Sequence, residues 1–175
     1  PELLRAHAHL LAKMGDMEAE RDVLRLEALG LDTPADRSLL SGLRARAGSR
    51  SEALEAIEEA LAEDPTQAAD WLSYANLLYE EGESSKALDA ADKCLEIDRQ
   101  CGGAWALSAT ILAPKQNRLK EALKAAIHAV ALDSGGVNLV LLKADLLLAD
   151  GQVTEAEESL VKSLEKDVML SLIHI

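Results

Sequence analysis

A turn residue recurs along the chain at Gly15, Gly48, Gly82, Asn117 and Gly151, at spacings of 33, 34, 35 and 34 residues. That period constrains the fold more than any composition figure. A unit of this size forms one supersecondary element that cannot bury its apolar face alone, so neighbours stack into a solenoid. Between the turns, apolar residues fall at helical spacing. From Gln67 to Glu80 they are Trp71, Tyr74, Ala75, Leu77 and Leu78, and beyond Gly82 they are Ala87, Leu88, Ala91, Cys94, Leu95 and Ile97. Glycine at the break readily takes the left-handed conformation that ends helices. The pattern predicts an all-α fold of five helix pairs, over 1–33, 34–67, 68–101, 102–136 and 137–169.

The same columns repeat in each pair. Ala8, Ser41, Ala75, Ala109 and Ala144 are small residues on first helices. Ala53, Ala87, Ala122 and Ala156 stand early on second helices, and Ala60, Cys94, Ala129 and Ser163 follow seven residues later. Small side chains there let helices approach to about 8–9 Å. Leu10, Leu43, Leu77, Ile111 and Leu146 are expected to fill the space between layers, and Trp71 and Trp105 to anchor one shared column. The first pair departs from the pattern, with Glu20 where alanine is expected and Ala19 one residue away. In the second pair, Arg37 and Arg44 replace large apolar residues. In the fourth, Asn117 stands for glycine after Pro114 and one extra residue.

The segment Trp71-x2-Tyr74-Ala75-x2-Leu78-x3-Gly82-x4-Ala87-x6-Cys94, closed in the preceding pair by Asp64-Pro65, resembles the tetratricopeptide repeat family. The resemblance covers residues 1 to about 168 and is strongest from Pro34 onward. It implies antiparallel helix pairs stacked in a right-handed superhelical solenoid, with first helices lining the concave side. It also implies a scaffold or adaptor that binds a protein or peptide partner in that groove. Its groove residues would be Arg5, His9, Lys13 and Arg46, then Leu72, Asn76 and Tyr79, then Leu107 and Thr110, and finally Leu141, Leu142, Asp145 and Leu148. The groove would run from basic to apolar. Members that clamp a chaperone's C-terminal carboxylate use lysine and asparagine on successive first helices. Asn76 keeps one such column, but Leu72 stands where a lysine would be, which argues against a chaperone tail.

Two occupants suit the apolar end. Leu141 and Leu142 are surplus to the core face that Leu139, Val140, Leu146 and Leu147 already supply. A helix apolar nearly all round is buried on several sides or covered by something. Either a partner helix covers these leucines, or further repeats or a folded-back terminal helix do so. The basic cluster at the other end could hold an acidic peptide, but scattered exposed charges more often form a solvated face.

Charge and motifs narrow the function classes. The net charge is −13, and the whole excess lies in residues 51–175, which hold ten basic and twenty-three acidic side chains. Such a surface repels nucleic-acid phosphates and anionic membranes, so neither nucleic acid nor membrane insertion is expected. The back face carries Glu52, Glu55, Glu58, Glu59, Asp89, Asp92 and Glu96, with Asp89 and Lys93 at a favourable four-residue spacing. Cys94 and Cys101 form no metal-binding pair, and His7 and His9 point in different directions on one helix. His128 falls on the back face with no evident partner. There is no phosphate loop, dinucleotide fingerprint or zinc-protease motif. No catalytic residue, cofactor or metal is therefore expected, and a soluble protein is, with the cytoplasm favoured. A second possibility is the substrate-docking array of a larger enzyme, such as a glycosyltransferase, kinase or protease, whose catalytic domain lies elsewhere.

The ends carry a separate expectation. Pro1 opens in the middle of a repeat, and Leu170-Ser171-Leu172-Ile173-His174-Ile175 matches the translation of a transposase-library adapter. Native sequence is expected to stop near Met169. The repeat organisation predicts a helical far-ultraviolet spectrum and a broad or multi-step melt in which the first pair frays earliest. A β-rich spectrum would overturn it.

Overall fold

In a computed structural model, residues 1–132 and 136–173 are described, with side chains through Glu165. All regular structure among them is helical, and the chain divides into two compact units. Unit 1 (Pro1–Ile97) holds α1 (Glu2–Met14), α2 (Glu18–Ala28), α3 (Pro34–Ala47), α4 (Arg50–Glu63), α5 (Ala68–Glu80) and α6 (Ser84–Ile97). Unit 2 (Asp98–Ile175) holds α7 (Gly102–Leu112), a 3-10 turn at Gln116–Arg118, α8 (Leu119–Ala131), α9 (Gly136–Ala149) and α10 (Val153–Ile173). Helix α10 continues past Met169, where the repeat pattern ends. His174 and Ile175, and every side chain beyond Glu165, lie outside the described residues.

Four of the five turns share one geometry. Gly15, Gly48, Gly82 and Gly151 have φ of 80°, 85°, 84° and 81°. Each donates its N–H to the carbonyl three residues back, while the next residue's N–H reaches the carbonyl five residues before it. This paired closure satisfies the last carbonyls of the helix. No atom lies near enough to any of these glycines to exclude a Cβ, so φ alone demands glycine. Asn117 does not reproduce the geometry. It lies in the 3-10 turn, and the path between helices is closed by Lys115 N–H to Leu112 O and Arg118 N–H to Lys115 O. Pro114 offers no N–H, and the extra residue supplies the length for a different turn.

The small columns are buried. Ala8, Ser41, Ala75, Ala109 and Ala144 are buried on first helices, as are Ala53, Ala87, Ala122 and Ala156 on second ones. Ser41 Oγ donates to the Ala53 carbonyl at 2.8 Å, so the two columns meet where α3 and α4 pack together. In the first pair, Ala19 takes the buried place and Glu20 is only half-buried, so the small residue stands one position nearer its glycine than in the other pairs. Of the expected interlayer residues, Leu43, Leu77, Ile111 and Leu146 are buried, but Leu10 is 56% exposed. Leu77 packs with Ala53, Ile57, Ala60 and Leu61 of α4, the second helix of the preceding pair. No pair precedes α1 among the described residues, so Leu10 has nothing equivalent to pack on.

Two of the linkers, α4–α5 and α6–α7, also share one geometry. The Asp64 carboxylate accepts from Thr66 N–H and hydroxyl, and the Asp98 carboxylate accepts from Gln100 N–H. The Thr66 hydroxyl and N–H, with Gln67 Nε2, pull the Asp64 carboxyl below its ordinary range. Trp71 Nε1 donates to Pro65 O and Trp105 Nε1 to Arg99 O, each at 2.9 Å across six residues. The tryptophans are half-buried, and each is covered from the following helix. Lys93 Nζ lies 4.2 Å from the Trp71 ring centroid rather than against Asp89, and His128 stacks on Trp105 at 4.6 Å. His128, expected to have no partner, therefore has one. Lys93 and His128 share a column, each standing one residue before a small buried residue, Cys94 or Ala129.

Replacing Gly82 with alanine forces a Cβ into left-handed backbone and should cost about 1–2 kcal/mol. Gly42→Ala, in the exposed middle of α3, should instead gain about 0.5–1 kcal/mol. Urea unfolding followed by circular dichroism compares the two. Burial, reinforced by a 2.8 Å hydrogen bond to Glu58, pushes the Tyr74 hydroxyl from 10.0 up to about 12. A raised folded value means that the stabilisation is complete below the unfolded value and is lost as the phenol ionises. Stability should thus fall between pH 10 and about 12, and Tyr74→Phe should shrink that fall in alkaline melts.

Candidate functional site

In unit 1 the residues expected to form a basic surface separate into two roles. His9, Lys13 and Arg46 are exposed, and Arg46 Nη1 reaches the Ala12 carbonyl near the end of α1 at 3.4 Å. Arg5 is instead committed to the fold. Its Nε donates to both Asp36 oxygens at 3.0 and 2.9 Å, and its guanidinium also reaches Leu31 O and Glu2. Asp36 is fully buried and forms a reciprocal capping box with Thr33 at the start of α3. The hydrogen bonding to Asp36 holds the Arg5 guanidinium charged more firmly than an ordinary arginine. Arg5 therefore ties α1 to the α2–α3 linker and is no free cation for a ligand. The sequence signal was present in Thr33-Pro34-Ala35-Asp36, a helix-start pattern.

Further along unit 1, Leu72 is half-buried, while Asn76 and Tyr79 are exposed on α5. Glu80 accepts from Arg50 Nε at 3.0 Å. His7, one of the two histidines on α1, lies with Nδ1 2.6 Å from the buried carboxylate of Asp22 on α2. Among the described residues, no group of three or more His, Cys, Asp or Glu side chains could hold a metal ion. Neither Cys94 nor Cys101 is in a disulfide. No helix among the described residues is long and apolar enough to cross a membrane.

In unit 2 the first helices differ sharply. On α7, Leu107 is only 8% exposed and belongs to the core, which corrects its expected place on an accessible face. The apolar run of α7 gives no polar side from which its facing could be read. Thr110 is exposed, but its hydroxyl donates to Ala106 O of its own helix at 2.9 Å. On α9, Leu139, Ala144, Leu146 and Leu147 are buried. Leu141 and Leu148 are 48% and 50% exposed, Leu142 is half-buried and Asp145 is exposed between them. Val137, four residues before Leu141, is 55% exposed and extends the stripe by a turn. Sequence reasoning passed over it, although its spacing was available. Helix α10 packs on α9 and leaves this stripe open.

No family model and no curated protein sequence matches the chain. Solved structures do. MamA from Desulfovibrio magneticus RS-1 is 16% identical, covers 96% of this chain over 95% of its own, and superposes with a TM-score of 0.80. A tetratricopeptide repeat protein from Parabacteroides merdae is 21% identical, with 94% of this chain and 66% of its own covered, at 0.76. YrrB, described as a tetratricopeptide repeat protein with an unusual peptide-binding site, is 20% identical, with 98% and 89% covered, at 0.73. At these identities the likeness is one of architecture, and the fold of this chain is that of the tetratricopeptide repeat proteins.

Proposed function

We propose that this chain is a protein-interaction scaffold, and that α9 in unit 2 receives an apolar helix or extended peptide from a partner protein. The observation that carries the reading is the stripe of Val137, Leu141 and Leu148. Three large aliphatic side chains stay about half exposed on one side of a helix whose other side is fully packed. Scattered exposed leucines need no explanation, but aligned ones at helical spacing match the way an amphipathic helix is held in a groove. Asp145, in the middle of the stripe, gives the bound segment a polar contact that sets its register. That YrrB carries a peptide-binding site supports the same use of this architecture.

The test compares the wild-type chain with Leu141→Asp/Leu148→Asp, each immobilised and exposed to cell extract, with bound proteins quantified by mass spectrometry. Lys120→Asp on the exposed side of α8 is the control. Losing two half-buried leucine contacts and desolvating two carboxylates should weaken capture about tenfold or more. Helical content should stay unchanged in circular dichroism. Equal capture by the double variant would rule out α9 as the docking surface.

A further inference from the structure

On α3, Arg37 and Arg44 occupy the columns that hold Trp71 and Leu78, then Trp105 and Leu112, in the next two pairs. Those pairs fill the positions with apolar bulk, whereas here the guanidiniums are held by carboxylates. Arg37 pairs with Asp32 at 2.8 Å, with Glu59 at 3.7 Å and with Glu63. Arg44 pairs with Glu20 at 3.3 Å and Glu52 at 3.5 Å. A cleft of about 150 Å³ remains in unit 1, lined by side chains of α2, the α2–α3 linker, α3 and α4. It reaches down to Val23, Leu40 and Ala56, which belong to a buried apolar cluster.

The lining polar groups are unevenly matched. Four carboxylates (Glu27, Asp32, Glu55 and Glu59) face two guanidiniums. Both guanidiniums already have partners, but the carboxylates of Glu27 on α2 and Glu55 on α4 make no hydrogen bond or ion pair among the described residues. The Asp32 side chain is 9% exposed, and its buried Oδ2 accepts no hydrogen bond, although Arg37 Nε lies 2.8 Å away. A negative excess over an apolar floor has a defined complement, a flexible alkyl stem that ends in a positive charge. An acidic group would meet the carboxylates, and a purely apolar one would desolvate Glu27 and Glu55 without compensation.

We propose that this cleft is a second docking site, which takes one lysine or arginine side chain from a basic segment of a partner protein. The stem lies over Val23, Leu40 and Ala56, and the charged head reaches Glu27 and Glu55. The site stands apart from the α9 stripe in composition and chemistry, so each can fail without the other.

Methyl-resolved NMR of the full chain tests it with three blocked pentapeptides, Gly-Ala-X-Ala-Gly, in which X is lysine, norleucine or glutamate. The lysine peptide should shift the Val23 and Leu40 methyl signals saturably. The norleucine and glutamate peptides should bind about tenfold more weakly or not at all. Glu27→Gln/Glu55→Gln, which alters only exposed side chains, should reduce lysine-peptide binding by a similar factor while leaving the circular dichroism spectrum unchanged. The proposal is overturned if the Val23 and Leu40 methyls stay still. It is equally overturned if norleucine or glutamate does as well as lysine, or if the double glutamine variant binds undiminished.

Discussion

The contact on which the architecture rests is the near-touching of two helix backbones through small residues. Ser41 Oγ reaches the Ala53 carbonyl, and every other pair buries alanine in one or both of the same two columns. Most of these close-packed pairs are joined by a short connection, and the end of each first helix leaves its last carbonyls without intrahelical partners. A glycine in left-handed backbone satisfies them in one step. Turn and crossing go together in four of the five pairs, while the fourth buries Ala109 and Ala122 across a 3-10 turn. The first pair shows how strict the need for a small residue is. There the residue in the usual place is Glu20, and the neighbouring Ala19 is buried instead.

Where bulk is replaced by charge, the packing changes character but stays organised. Asp36 is fully buried, yet its carboxylate is satisfied by Thr33 and Arg5 together. Arg37 and Arg44 are likewise partnered. Such pairs add little stability compared with the apolar side chains they replace. They confine the geometry and leave room, which is how a cleft survives in a column that is elsewhere filled by tryptophan. Specific polar contacts between helices have taken the place of volume.

The helix pairs, their turns and their small columns were legible because each is encoded by a residue type with one dominant physical use. Glycine tolerates positive φ, alanine permits close approach, and leucine at helical spacing marks a buried side. Asn117 misled because its position in the repeat suggested a backbone shape that Pro114 and one additional residue made unnecessary. Leu10 misled because column membership says which side a residue faces but not whether anything stands there. Arg5 and Leu107 were both assigned to an accessible face by their position in the repeat. One is taken up by a carboxylate thirty-one residues away, and the other is buried. The stacking of His128 on Trp105 depends on side-chain direction across two helices, which single-helix spacing does not encode.

The tryptophan hydrogen bonds have a consequence for how such a chain can lengthen. Each indole N–H spans six residues to a linker carbonyl, in the third pair and again in the fourth, so an added linker residue would break the bond. The connection between α7 and α8 is closed instead by backbone hydrogen bonds, Lys115 N–H to Leu112 O and Arg118 N–H to Lys115 O. It is there, beside Pro114, that the fourth pair accommodates its extra residue, as a short 3-10 turn. The fourth pair thus accommodates an insertion within itself, while the two linkers spanned by a tryptophan resist one. The repeat can vary in length without disturbing the linker geometry that the indoles hold.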